Sequence, residues 1–242
     1  MPGVSSRTTT YTPGPLELDK VYYWRIDEFD GAVIHRGEVW SFTTVDFNSV
    51  DDFIVVDDFE SYNDLDPDAP ESNRIFETWI DGWGDPPNGS LVGTFVAWPF
   101  WEEIVAHGGA QSMWYYYDNS VGKSEATITL IYPRDWTEEE VGVLSLWFYG
   151  DPDNAPELMY VALNGSAVVY HDNSNATQID TWTEWRIDLQ EFANQGVNLA
   201  NVNTITLGFG NRTNPVAGGS GEVWFDDIRL YRPAEPEPAQ KK

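Results

Sequence analysis

Short stretches in which apolar and polar residues alternate recur along the chain, and Gly, Pro, Asn and Asp separate them. In residues 144–149 every second position is Leu or Phe, and residues 205–209 repeat this pattern with Ile, Leu and Phe. Because successive side chains of a strand point to opposite faces, the period of two predicts β-strands. The predicted strands occupy residues 53–62, 110–118, 124–132, 142–150, 157–165, 167–172, 182–189, 203–211 and 221–231. A helical turn or two is indicated only in residues 188–196.

About nine strands with turns between them predict an all-β fold, an antiparallel sandwich of two sheets. Residues 1–46 are set apart by two aromatic strands of their own, VYYWRIDEF and GEVWSFTT, which a Gly-containing loop joins. We therefore divide the chain into a short N-terminal β fragment, an acidic joint, the sandwich and a Pro/Glu-rich linker or tail. The boundaries are 1–46, 47–52, 53–232 and 233–242.

The composition narrows the possible partners. The 242 residues contain 40 acids and 13 bases, a formal net charge of −27, which repels phosphate backbones and anionic lipids. Nucleic acid and membrane partners are therefore not expected, whereas divalent cations and neutral ligands are compatible. With no cysteine, the chain has no disulfide or thiolate site. The opening residues lack the apolar core of a signal peptide, so the signal of an exported parent protein would lie outside this chain.

Five motifs occur in an order typical of one known family. They are VDDFE, DWTEEEVGVLSLWFYG, WTEWRIDLQEF, NLANVNTITLGFGN and EVWFDDIRLY. Over residues 53–232 the chain resembles jelly-roll carbohydrate-binding modules, family 11 and its galactose-binding-like relatives. LELDKVYYWRIDEF and GEVWSFTT look like the last strands of a fibronectin type III domain, so residues 1–46 resemble a truncated neighbour. The resemblance implies an extracellular or cell-surface multidomain protein.

Two acidic segments, residues 57–60 and 226–227, lie near the two ends of the sandwich. The first and last strands of a jelly roll are neighbours, so these acids are expected to meet. Alternation predicts that Asp226 points inward with Ile228, and an inward carboxylate needs a partner. The resemblance implies a structural calcium at this edge. Its expected ligands are the carboxylates of Asp58, Glu60 and Asp226 and a backbone oxygen of Gly108.

The alternative is that these acids face solvent at strand ends. That interpretation is preferred for Asp57 and Asp227, which alternate with the inward set. A further acidic loop, residues 150–157, lacks the spacing of an EF-hand and predicts a plain turn.

The chain has twelve Trp and twelve Tyr, and several lie in segments with loop composition. Flat rings stack on the apolar faces of pyranoses, while neighbouring amides and carboxylates bond the hydroxyls. Trp98 and Trp101 are the best ligand candidates, and Trp79 and Trp83 flank a Gly/Pro turn. A concave-face site would add residues of two strands if their aromatic sides turn outward. The full candidate set is Trp79, Trp83, Trp98, Trp101, Tyr115, Tyr117, Trp147 and Tyr149.

Each aromatic also has a packing interpretation. Trp147, Trp185 and Trp224 lie within strong strands and are expected in the core, and Trp79 and Trp83 could close the ends of the sandwich. The cluster around Trp98 could instead be a surface that docks against a neighbouring domain.

Catalysis is the less favoured alternative. A glycosidase needs two carboxylates about 5 to 9 Å apart, and Glu102 with Glu103 or Asp188 with Glu191 are the candidate pairs. His35, His107 and His171 are expected in solvated loops, and no hydrolase or phosphate-binding motif occurs. The sequence thus predicts a non-catalytic module that binds a neutral polysaccharide, such as a β-glucan or mannan. A calcium-stabilised adhesive or spacer domain is the second possibility, and a β-sandwich hydrolase or lyase the third.

Overall fold

The structure, a computed structural model, describes residue 16 and residues 20–44, 53–93 and 105–233. The chain divides into two compact units, residues 1–52 and 53–242. Trp98 and Trp101, together with the predicted pair Glu102 and Glu103, lie outside the described residues. Within the described part, no helix has the length and apolar character needed to cross a membrane.

The first unit contains two nested antiparallel strand pairs. Its strands are β1 (Val21–Trp24), β2 (Asp27–Phe29), β3 (Ile34–Arg36) and β4 (Trp40–Thr43). Strand β1 pairs with β4, and β2 pairs with β3. The stretch VYYWRIDEF, predicted as one strand, is therefore two. The fibronectin type III resemblance of this unit stays a prediction.

The second unit is almost entirely β in the part that is described. Its strands are β5 (Phe53–Asp57), β6 (Trp79–Ile80), β7 (Ser90–Val92), β8 (Met113–Asp118), β9 (Ser124–Thr129), β10 (Val143–Tyr149), β11 (Met159–Leu163), β12 (Ala167–Tyr170), β13 (Thr183–Asp188), β14 (Thr204–Phe209) and β15 (Ser220–Tyr231). Two short α-helices, α1 (Ile75–Thr78) and α2 (Leu189–Ala193), accompany them. Single 3₁₀ turns span Asn119–Val121, Glu138–Glu140, Ala176–Gln178 and Leu199–Asn201.

These strands form two antiparallel sheets, which confirms the predicted jelly-roll sandwich. The larger sheet has the order β13-β10-β15-β8-β7, and β5 also pairs with β15. The smaller sheet has the order β12-β11-β14-β9-β6. The core between them is built from alternate residues of each strand, as the period of two requires. Leu144, Leu146 and Phe148 of β10 are fully buried, as are Ile205 and Phe209 of β14.

Strand β15 organises the larger sheet. From Trp224 to Tyr231 one edge of β15 pairs with β10, and its other edge pairs first with β8 and then with β5. The first and last strands of the sandwich are therefore neighbours, as predicted. A bulge interrupts β15, because three residue steps from Asp226 to Arg229 face two on β10. Asp227 within it has a positive φ of 48°.

The bulge corrects the predicted orientation of Asp226. One extra residue in a strand reverses the alternation beyond it. Ile228 is buried with Phe225, but Asp226 shares the opposite face with Trp224. Asp226 is nevertheless 0% exposed. Backbone N–H groups of residues 107–108 cover it, as described below.

Asp57 is buried and not solvated, contrary to the sequence-based expectation. Its Oδ2 accepts hydrogen bonds from the hydroxyl of Tyr62 at 2.6 Å and from Nε1 of Trp79 at 2.8 Å. Its Oδ1 accepts the backbone N–H of Phe59 at 2.9 Å. Burial raises the pKa of Asp57, while these three donors oppose the rise. The carboxylate thus joins β5, the following turn and β6.

We expect Asp57→Asn to destabilise the second unit by about 1–3 kcal/mol. Both carboxylate oxygens of Asp57 accept N–H or O–H donors. The NH₂ group of an asparagine would replace one of these oxygens, and it would then face a donor without forming a hydrogen bond. Chemical denaturation of the two proteins measures the difference. Asp85→Asn, at an exposed position, is the matched control and should leave the midpoint unchanged. An unchanged midpoint in Asp57→Asn would contradict the role assigned to this carboxylate.

Candidate functional site

Six half-buried aromatic side chains cover the outer face of the larger sheet, the face turned away from the core. We call this set the outer aromatic face. Its members are Trp114, Tyr116, Trp147, Tyr149, Trp182 and Trp224. They come from β8, β10 and β15 and from the residue that precedes β13. The set is thus assembled from parts of the chain more than 100 residues apart.

The strand register aligns four of these rings in a row. Tyr149 is paired with Trp224 across β10 and β15, and Trp224 is paired with Trp114 across β15 and β8. Directly paired residues of antiparallel strands lie on the same face. Trp182 extends the row, with its ring 5.8 Å from Tyr149 in an edge contact. Four neighbouring strands about 4.8 Å apart give a row roughly 14 Å long.

The other two rings widen the row at its two ends. Tyr116 is stacked beside Trp114 on β8, with ring centroids 6.1 Å apart and planes at 15°. Trp147 lies under the imidazole of His107, at 3.8 Å and 15°. His107 also makes an edge contact with Trp182 at 5.6 Å. The rings thus form a continuous aromatic surface.

Polar side chains lie between the rings on the same face. Glu222 accepts a hydrogen bond from Nε1 of Trp114 at 2.8 Å. Glu184 is paired with Trp147 across β10 and β13 and accepts bonds from Ser145 at 2.7 Å and Arg186 at 2.9 Å. These contacts fix the carboxylates beside the ring edges. The surface therefore combines apolar ring faces with hydrogen-bonding groups.

The residues 105–112 reach this face through the bulge in β15. Oδ2 of Asp226 accepts the backbone N–H of His107 at 2.8 Å and that of Gly108 at 3.1 Å. Asp227 accepts Nδ1 of His107 at 2.7 Å and Nη2 of Arg229 at 2.6 Å. Desolvation raises the pKa of Asp226 to about 6, against the lowering effect of the two backbone donors. Both acids of the bulge therefore hold His107 over Trp147.

The structure corrects three of the predicted ligand contacts. Tyr115 and Tyr117 are fully buried, and their hydroxyls donate to the carbonyls of Leu207 and Ala155. Trp79 is also fully buried, stacked on Phe59. Trp83 is 75% exposed on the turn after β6 and is not a member of the outer aromatic face. Its ligand role stays a prediction, as do those of Trp98 and Trp101.

Two predicted residues, Trp147 and Tyr149, do lie on the outer aromatic face. Trp224 lies there as well. The core position expected for both Trp147 and Trp224 from their strands is therefore wrong, whereas Trp185 is buried as expected. The sequence interpretation missed Trp114, Tyr116 and Trp182. In MWYYYD, aromatic residues occupy both faces of β8, so no polar residue marks the outer one. The signal that distinguishes them is the pairing of Tyr115 with buried Val223.

Glu60 and Asp226, two of the predicted calcium ligands, both contact residues 107–111, but through carboxylate oxygens that accept backbone N–H groups. Oε1 of Glu60 accepts the backbone N–H groups of Ala110 and Gln111, both at 2.8 Å. Oδ1 of Asp58 accepts the N–H of Glu60 at 3.2 Å. Gly108 presents its N–H to Asp226 rather than an oxygen to a cation.

A calcium ion requires six to eight converging oxygens, more than the described contacts bring together. Among the described residues, no group of three or more His, Asp or Glu side chains is placed to hold a metal. One feature favours a cation at this edge: Oε1 of Gln111 is buried and has no hydrogen-bond partner. Calcium at this edge stays a prediction, and the described contacts act as a latch between residues 107–111 and the two strand ends.

A cavity of about 200 Å³ lies elsewhere, between the end of β5 and the end of β9. Four of the polar residues that line it already form hydrogen bonds with each other in pairs. Asn73 donates to the carbonyl and hydroxyl of Ser61, and Tyr62 donates to Asp57. The outer aromatic face therefore remains the better candidate site.

Comparison with solved structures returns carbohydrate-binding modules. A family 11 module of a cellulosomal cellulase of Clostridium thermocellum has 16% identity and a TM-score of 0.46, covering 77% of this chain and 98% of its own. A family 11 module of that organism in complex with a β-1,3-1,4-mixed-linked tetrasaccharide has 17% identity and a TM-score of 0.45, covering 75% and 96%. A family 30 module of a cellulosomal cellulase of the same bacterium has 17% identity and a TM-score of 0.40. That match covers 58% of this chain and 86% of the module.

Family 11, which the sequence motifs resemble, is thus among the similar structures. No protein-family model matches the chain, and no curated protein matches it. Because these TM-scores are below 0.5, the likenesses carry no argument about a ligand. The outer aromatic face is the feature of this chain that indicates a function.

If the N–H donors at Oε1 of Glu60 and at both carboxylate oxygens of Asp226 take the place of a cation, the thermal midpoint of the protein should be the same in calcium and in a chelator. Scanning calorimetry with calcium and with EGTA makes the comparison. Magnesium serves as the control for a general effect of divalent charge on so acidic a chain. A rise of several degrees in calcium alone, abolished by Asp226→Ala, would instead establish the predicted calcium site.

Proposed function

We propose that this chain is a non-catalytic carbohydrate-binding module that holds a neutral polysaccharide on its outer aromatic face. The observation that carries the proposal is the row Trp182, Tyr149, Trp224 and Trp114, which crosses four strands on one side of the sheet. These rings are not needed for the core, because side chains on the opposite face of the same strands pack between the two sheets. Their half-buried state leaves ring surface available to a ligand.

The chemistry of the face suits a sugar chain. Pyranose rings present apolar C–H surfaces, which stack on aromatic faces, and hydroxyls at their rims. Glu222 and Glu184 lie beside the rings as acceptors for such hydroxyls. A row roughly 14 Å long extends over several consecutive sugar units, which favours a polysaccharide over a monosaccharide.

The charge of the protein favours a neutral ligand. The formal net charge is −27, and the two carboxylates that border the rings add negative potential at the site itself. A uronate or sulfated glycan would be repelled at moderate ionic strength. Neutral β-glucans and mannans are therefore the proposed ligand class, and the role fits an extracellular multidomain protein.

The absence of catalysis is part of the proposal, and the placement of the acids supports it. Asp188 caps helix α2 by accepting the N–H of Gln190 at 2.8 Å, and Glu191 is exposed on that helix, away from the aromatic rings. On the outer aromatic face, Glu184 is held by Ser145 and Arg186. Asp188 thus serves as a helix cap, and Glu184 is hydrogen-bonded beside the aromatic rings, so neither is arranged as one of a catalytic pair.

We expect the protein to be retarded on native gels cast with a soluble neutral β-glucan or glucomannan, and not with polygalacturonate. Trp224→Ala removes the central ring of the row and should abolish retardation. Trp83→Ala removes an equally large exposed ring outside the row and should leave it unchanged. Circular dichroism checks that both variants fold. Assay of the same mixtures for reducing sugar should detect none.

Each other result has a defined meaning. Loss of binding in Trp83→Ala alone would move the site to the turn after β6, which carries one of the ligand candidates predicted from the sequence. Release of reducing sugar would replace the binding module by a hydrolase. Wild-type protein that ignores every glycan would favour an adhesive or spacer domain whose aromatic face docks on protein.

A further inference from the structure

The imidazole of His107 is held from several sides at one end of the outer aromatic face. Its plane is stacked on Trp147 at 3.8 Å, and its edge contacts Trp182 at 5.6 Å. Its Nδ1 lies 2.7 Å from Oδ2 of Asp227, and its backbone N–H is bonded to Asp226. The ring still exposes 26% of its surface. A side chain in a solvated loop, as the sequence predicted, would have none of these constraints.

The contact with Asp227 assigns the hydrogen on the ring. Asp227 also accepts Nη2 of Arg229 at 2.6 Å, so its carboxylate serves as an acceptor in both contacts. Nδ1 of His107 must then donate. In a neutral imidazole with a hydrogen on Nδ1, Nε2 carries a lone pair and accepts. No residue that the structure describes forms a hydrogen bond with Nε2.

We propose that Nε2 of His107 is a fixed hydrogen-bond acceptor for one hydroxyl of the bound sugar chain, and so selects which glycans the face accepts. This inference rests on the proposed function. The aromatic rings supply stacking that any pyranose can use, whereas a rigid acceptor at one position demands a hydroxyl at a matching position. Asp227 acts through His107 as a positioning residue, because it fixes the orientation and the tautomer of the ring.

The fixed geometry is what makes such a contact selective. A side chain that is already ordered loses little further entropy when the ligand arrives. Nε2 would be covered by a bound sugar chain, and a covered acceptor without a donor has a desolvation cost, so glycans that lack the matching hydroxyl should bind more weakly. His107 is thus a specificity residue, and the rings of the row are the source of general affinity.

The tautomer and the contact can both be observed by ¹⁵N NMR of the imidazole at mildly alkaline pH. The free protein should show the hydrogen on Nδ1 and an unprotonated Nε2. Saturation with cellohexaose, or with the neutral glycan that retards the protein most, should shift Nε2 as it accepts a hydroxyl. A hydrogen on Nε2, or an Nε2 signal that does not move at saturation, would overturn the inference.

Variants provide the second arm. Asn places an N–H near the position of Nδ1 but no atom at Nε2, so His107→Asn should weaken glycan binding about tenfold with an unchanged melting temperature. His107→Gln returns an amide oxygen to the Nε2 position and should recover part of the affinity. His35→Asn, on the separate N-terminal unit, is the matched control and should bind like wild type.

The outcomes separate this inference from the proposed function. If Trp224→Ala abolishes binding and His107→Asn does not change it, the proposed binding function is supported and the acceptor role of His107 is wrong. If the wild-type protein binds no glycan, the proposed function fails and this inference fails with it. Rescue by His107→Gln, together with the NMR shift, would establish the acceptor role.

Discussion

The bulge in β15 is the constraint on which the candidate site depends. One extra residue at Asp226 and Asp227 reverses the alternation of the strand, so that Ile228 enters the core while Asp226 stays on the outer face. The carboxylates of Asp226 and Asp227 therefore lie side by side, where a regular strand would place only one side chain. Burying them has a large cost unless each is hydrogen-bonded, and residues 107–108 supply the N–H groups that meet this need.

The same contacts connect stability with the surface that we assign to binding. The loop that satisfies Asp226 also carries His107, whose ring completes the aromatic surface over Trp147. Strand β15 contributes Trp224 to the centre of the row a few residues earlier, and its pairing with β8 brings in Trp114. A single strand therefore aligns the row, satisfies the buried acids and orients the histidine. Changes at the bulge should consequently affect folding and binding together.

The acidic segments illustrate how one sequence pattern allows two physical solutions. Inward carboxylates at the first and last strands suggested a cation, because oxygen ligands and positive charge would offset the cost of burial. In the described residues the carboxylates instead accept backbone N–H groups, which act as fixed partial positive charges. Gly109 has a positive φ of 55°, which allows the backbone to approach Glu60 closely. The sequence predicted that Gly108 lies beside the acids, but it predicted a contact through the backbone oxygen, whereas the contact is made by the backbone N–H.

The sequence by itself determined nine of the eleven strands of the sandwich, the sandwich itself and the proximity of its first and last strands, since these follow from local alternation and from motif order. The two strands that it missed, β6 and β7, have only two and three residues, too few for a visible alternation. It also placed Trp147 and Tyr149 on the face opposite Leu146. It did not distinguish Tyr115 from Trp114, because aromatic residues fill both faces of β8, and its core position for Trp224 was wrong, because aromatic residues lie on both faces of β15 before the bulge. Only strand pairing settles which side meets the second sheet, and that contact joins residues far apart in the chain.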